Sequence, residues 1–191
     1  MRIAPIFGER RTIATVPTRR RLDVDALYRM AEAGILAWGE RVELIDGEII
    51  DMVPIGSDHG GMTDRLARLI IPAVAGRVAV GIQRPVRLDA YNEPQPDVVL
   101  MRPRADDYRS GHPTADDVLL IVEVANSSLA FDRGTKLPLY ARFGVPEVWI
   151  VDLAGAAVEV YRAPDAGAYR DTERVTDGAL RPGRVPEVAI D

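Results

Sequence analysis

The run V-L-L-I-V-E-V-A, residues 118–125, constrains the fold more than any other stretch of this chain. All but one of its residues are apolar and they do not alternate with polar ones, the pattern of a central strand covered on both faces. Such a strand needs strand neighbours on either side and helices above and below. D-V-V-L-M (97–101) and P-E-V-W-I-V-D (146–152) read as further buried strands. Between 125 and 146 lies a helical stretch containing T-K-L-P-L-Y-A-R-F and ending at Gly144. Thr135 is expected to cap this helix, with Pro138 tolerated in its first turn. The order strand, helix, strand then predicts a right-handed parallel crossover.

The rest of the chain fits round this centre. L-D-V-D-A-L-Y-R-M-A-E-A-G (22–34) reads as a helix capped by Asp23 and stopped by Gly34. V-E-L-I and E-I-I-D-M-V, joined by Asp46-Gly47, are the strongest hairpin signal. A second helix is expected from His59, with Leu66, Leu69, Ile70 and Val74 on one face and Pro72 kinking it or ending it early. V-A-V-G-I-Q (78–83) and P-V-R-L (85–88) read as strands, and residues 102–117 as a charged loop. A-A-V-E-V-Y-R-A-P (156–164) and the tail add edge hairpins. The expectation is an α/β domain over residues 21–191, a central mixed sheet flanked by helices, after an extended lead-in over 1–20. Of 191 residues 47% are hydrophobic, enough for one core without staples.

Composition removes several functions. Cysteine is absent, which excludes thiolate catalysis, disulfides and Cys-zinc sites. No apolar stretch approaches the roughly 20 residues of a membrane span, and the opening M-R-I-A-P-I-F-G-E-R-R lacks the apolar core of a secretory leader. A cytoplasmic location with no membrane partner is expected. The net charge of −5 argues against non-specific coating of nucleic acid, although a nuclease keeps its carboxylates in a cleft. Arg10, Arg11, Arg19, Arg20 and Arg21 are read as a solvated basic lead-in rather than a nucleic-acid arm.

Three carboxylates stand inside strand-like runs: Glu43 in R-V-E-L-I, Asp97 at the head of D-V-V-L-M, and Glu123 between two valines. A buried, ionised carboxylate costs several kcal/mol unless a base or a metal pairs with it. Asp97 and Glu123 on neighbouring strands would form an all-oxygen site for a hard cation such as Mg²⁺. Lys136, the single lysine among 24 basic side chains, lies on the helix that follows. Unlike the planar, permanently charged guanidinium, an ammonium is a compact donor whose pKa neighbours can move. A cation in a first helical turn is mildly unfavourable, which suits chemistry better than stability. The competing reading has Glu43 at a wet strand end and Lys136 pointing into water.

The set E-L-I-D-G-E (43–48), His59 at a helix start, Q-P-D-V-V (95–99), L-I-V-E-V (120–124) and D-R-G-T-K-L-P-L-Y-A-R-F-G-V-P-E-V-W-I-V-D (132–152) resembles the Uma family. These are restriction-endonuclease-like proteins of the PD-(D/E)XK nuclease superfamily, and the resemblance runs over roughly residues 22 to 162. It implies that Pro96-Asp97 is the superfamily's PD and Glu123 its second acid. The lysine usually found two residues later would fall at Ala125; Lys136 matches the lysine that this family carries on the next helix. Glu43 matches an additional acid and His59 a histidine of the family.

The resemblance implies a Mg²⁺- (or Mn²⁺-) dependent DNA endonuclease. Asp97, Glu123 and Glu43 would hold the metal, Lys136 would orient or deprotonate the attacking water, and His59 would contact phosphate or metal. For His59 the plain alternative is a cap or surface residue. His112 is read as surface, Gln95 as a contact near the cleft, and Asp132 as a support for Lys136 or a cap. Cutting both strands of a duplex calls for two sites, so a homodimer is expected, with no organic cofactor. Two other readings stay open: a nuclease fold without activity that binds nucleic acid or a protein, and a structural ion-pair cluster in an unrelated protein.

Overall fold

The computed structural model describes residues 19–37 and 39–190. The lead-in expected over 1–20, with Arg10 and Arg11, therefore lies almost wholly outside the described residues, as does Trp38. Helix α1 (Val24–Glu32) is capped as expected, the Asp23 carboxylate accepting from the Ala26 amide at 2.6 Å. Strands β1 (Val42–Ile45) and β2 (Glu48–Asp51) form the Asp46-Gly47 hairpin. Both turn residues have positive φ, +51° and +77°, the tight turn that matches strand twist. This pair is a separate two-stranded sheet.

The main sheet has six strands in chain order: β3 (Ala79–Ile82), β4 (Val98–Met101), β5 (Val118–Ala125), β6 (Glu147–Asp152), β7 (Ala157–Asp165) and β8 (Ala168–Val175). Only β5 and β6 run parallel, and the helical crossover joins them. All eight residues of β5 are buried. Its even-numbered side chains, Leu120, Val122 and Val124, face helix α2 (Ser57–Val74) through Leu66, Ile70 and Val74. The odd-numbered ones, Ile121 and Ala125, face Leu139 and Tyr140 of the crossover helix. The tail also packs on the α2 face, through Val185, Val188 and Ile190. Glu147 clasps it there, accepting from Gly183 N at 2.6 Å and from Trp149 Nε1 at 2.7 Å. Trp149, inside the apolar run of β6, is fully buried.

Four expectations need correction. P-V-R-L is not a strand: apart from one bridge, Arg87 to Thr114, its backbone bonds go to loop partners such as Val86 N to Pro94 O. Helix α2 starts at Ser57, so His59 is its third residue, and it runs through Pro72 to Val74. Pro72 lies in the last turn, where a left-handed Ala75 ends the helix.

The crossover differs most. It begins at α3 (Leu129–Phe131), widens into a π turn (Asp132–Lys136) and continues as α4 (Leu137–Arg142). Thr135 is therefore no cap but lies inside the π turn; Pro138 is the second residue of α4, as expected, whereas Lys136 is mid-run because the helical path already starts at Leu129. The argument from an unfavourable first-turn cation falls with it. Pro138 has no N–H to give Gly134, and its ring would collide with that carbonyl in a tight α turn. The helix opens instead, Leu137 N–H reaching back five residues to Asp132 O. Finally, His112 is not simply surface, since its ring stacks on Tyr28 with centroids 6.3 Å apart.

Candidate active site

Strand alternation dictates where the acids point. Along β5, Glu123 shares its face with Ile121 and Ala125, so it projects toward the crossover helix. The antiparallel β4–β5 register pairs Val98 with Val122, which one step further sets Asp97 opposite Glu123. Glu43 reaches the same place from β1, which the Leu44–Glu93 bridge fastens to the loop before β4. The π turn brings Lys136 down onto them.

The contacts are short and buried. Lys136 Nζ lies 2.8 Å from Glu43 Oε1 and 3.2 Å from Glu123 Oε1. Tyr140, one turn beyond Lys136, donates its hydroxyl to the same Glu123 oxygen at 2.6 Å. Gln95 N donates to Glu43 Oε1 at 2.7 Å, so Gln95 meets the site through its backbone. Asp97 Oδ2 accepts from Val124 N at 2.8 Å and lies 3.0 Å from His59 Nε2. If His59 donates from Nε2, Nδ1 is left as a buried acceptor without a protein partner. The side chains of Lys136, Glu43 and Glu123 are 7%, 3% and 4% exposed, so neither the water-pointing lysine nor the wet strand-end acid describes this chain.

All five predicted residues line one cavity of about 460 Å³, together with Gln95 and Asp132. Tyr140, which contacts Glu123 from behind, and Arg41, which lines the cavity, carry no assigned role in the sequence. Tyr140 had a signal, its four-residue spacing from Lys136 on one helix. Arg41 had none beyond preceding Glu43 in the hairpin.

The cavity is strongly acidic. Burial pushes the Glu123 carboxyl up to about 8; Lys136 pulls it down, while Asp97, Asp132 and Glu43 push it further up. Burial works against the Lys136 ammonium, but Glu123, Glu43 and Asp132 outweigh it and hold the amine well above its usual value. Asp132 is raised by burial, against the pull of Lys136. Burial, with Glu123 beside it, keeps the Tyr140 phenol protonated as a donor. Four carboxyls thus share one lysine. Among the described residues no donor meets Asp97 Oδ1 or Glu123 Oε2, and no three His or acidic side chains form a ready-made metal cage.

A family model described as "Uma2: Putative restriction endonuclease" matches residues 25–189. No curated protein matches. Among solved structures, the crystal structure of "a putative nuclease belonging to DUF820 from Anabaena variabilis ATCC 29413" superposes with a TM-score of 0.67. The two sequences are 16% identical, with 88% of this chain and 94% of that one covered, a similarity of fold.

Proposed function

This chain belongs to the Uma2 family, and from that premise we propose that it is a metal-dependent DNA endonuclease of the PD-(D/E)XK type. Family and fold are those of nucleases. The observation that carries the metal dependence is the charge of the cavity: Glu43, Asp51, Asp97, Glu123 and Asp132 line it against one lysine and one arginine. The free oxygens of Asp97 and Glu123 are hard donors and suit Mg²⁺ or Mn²⁺, which take one or two carboxylates and complete their shell with water and phosphate oxygens. A metal bound there would polarise the scissile phosphoryl group and lower the pKa of a water.

The protein's own groups then divide the work. His59 and Val124 N fix one Asp97 oxygen and leave the other facing the cavity. Glu43 Oε1 is taken up by Lys136 and Gln95 N, so Glu43 contributes mainly by aiming the lysine. Lys136 has three N–H donors and spends two on Glu43 and Glu123, leaving one for substrate or water. Held as an ammonium, it orients the attacking water and offsets charge gathering on the phosphoryl oxygens, rather than accepting a proton. Tyr140 keeps Glu123 aligned.

Calorimetric titration with Mn²⁺, paired with nicking of supercoiled DNA, tests this reading. Saturable binding that disappears in Asp97→Ala, and nicking that disappears in the same variant, are expected. Absence of both in the unmodified protein overturns it. That no three-ligand cage stands among the described residues favours one other reading, a nuclease fold that binds nucleic acid without cutting; DNA binding without Mn²⁺ uptake would select it.

A further inference from the structure

The acids lie deep, and the cavity lining also carries an apolar set: the loop between β2 and α2 contributes Met52, Val53 and Ile55, and the crossover contributes Phe131. Val53 is 73% exposed and Ile55 45% exposed, although both face the mouth of a polar site. Exposed apolar side chains beside a cavity mark a surface made to be covered. Arg41 is the one arginine lining the cavity, and it makes no ion pair among the described residues. An unengaged guanidinium in a cavity lined by five carboxyls suits a phosphate, which it meets with a bidentate fork.

We propose that this cavity accepts a single unpaired nucleotide, its base against Val53, Ile55 and Phe131 and an adjoining phosphate on Arg41, so that the preferred substrate is single-stranded or locally unpaired nucleic acid. The inference rests on the nuclease reading and adds a substrate class to it. Three observations converge. The volume of about 460 Å³ is that of a pocket enclosing one small molecule, within the roughly 300–1,000 Å³ such pockets span. Lys136, Glu123 and Glu43 are each more than nine-tenths buried, so a scissile phosphate must descend to them. The apolar side chains offer the neighbouring base a seat beside that phosphate; in a single strand that base is free to take it, whereas in a duplex it must first leave its stack. The apolar wall is also sequence-tolerant, since every base offers it a flat face.

The test separates binding from cleavage. Fluorescence anisotropy is read on a labelled oligonucleotide, alone and annealed to its complement, in Ca²⁺; cleavage of the same pair is read in Mn²⁺. The single strand is expected to bind at least about tenfold tighter than the duplex, the scale set by one base on a side-chain platform. Val53→Ser combined with Ile55→Ser should erase most of that difference, and both residues are exposed, so folding is not at stake. Arg41→Gln should lower the slope of log Kd against log salt for the single strand by about 0.7, the loss of one phosphate contact. Equal affinity for the two forms, or a single-strand Kd that none of these substitutions moves, overturns the proposal. Tight, substitution-sensitive single-strand binding without cleavage of either form would sink the nuclease reading and leave the nucleotide subsite standing.

Discussion

Replacing Lys136 with methionine removes one charge and little else, because the two side chains have similar length. In the intact protein the ammonium lies 2.8 Å from Glu43 and 3.2 Å from Glu123, with all three side chains less than a tenth exposed. Removing one partner of such a buried pair costs about 3–5 kcal/mol, because the remaining charge keeps its desolvation penalty and loses its compensation. Here Glu43 loses its counter-charge, whereas Glu123, whose carboxyl burial pushes up to about 8, takes up a proton instead, so the lower half of that range is expected. At about 2–4 °C per kcal/mol for a domain of this size, the melting temperature should fall by roughly 6–16 °C. The assay is thermal unfolding followed by circular dichroism in excess chelator, so that no bound metal masks the effect. Adding Glu43→Gln should recover part of the loss, since the amide oxygen still accepts from Gln95 N and the side chain carries no charge. A Lys136→Met protein within about 2 °C of the original, or a double variant no more stable than the single, would refute the reasoning that this lysine neutralises the cavity. Cleavage should be lost in either case.

Glu147→Ala would leave Trp149 Nε1 and Gly183 N without their acceptor; a loss of about 2–4 kcal/mol is expected, and trypsin should cut at Arg181 or Arg184 well before it cuts elsewhere. Arg133 and Tyr161 hold the Glu159 carboxyl below its usual value, with the paired Arg133 hydrogen bonds the larger cause. Its stabilisation is therefore full above about pH 4.3, the ordinary glutamate value, and is lost as pH falls through the lower folded-state value. Glu159→Gln should flatten the acid side of a plot of melting temperature against pH, by about 1 kcal/mol because Arg133 is half exposed; an unchanged acid limb would count against the pair.

The sheet was legible because burial leaves a plain mark in sequence: V-L-L-I-V-E-V-A could only be a strand with both faces covered. The same run exposed Glu123, since a lone acid between valines needs an explanation that a surface acid does not. Asp97 and Glu43 were legible on the same ground. The cap expected at Thr135 places the crossover helix about two turns too late, because its first turn, L-A-F, is short and its start carries no side-chain cap. P-V-R-L misled because alternating apolar residues describe any extended segment, and strand status is decided by a hydrogen-bonded neighbour that local pattern does not name. Arg41 and the apolar rim were invisible for a related reason: a cavity wall is assembled from segments far apart in the chain, none of which has a pattern of its own.

The π turn divides the candidate site between two supports of unequal strength. Asp97 and Glu123 are rooted in the middle of a six-stranded sheet, among the last structure to open, whereas the lysine rides on a short helical segment with an interrupted hydrogen-bond ladder. Warming should therefore extinguish catalysis at a lower temperature than it melts the strands. An enzyme built this way has a working ceiling set by its weakest helix and not by its core.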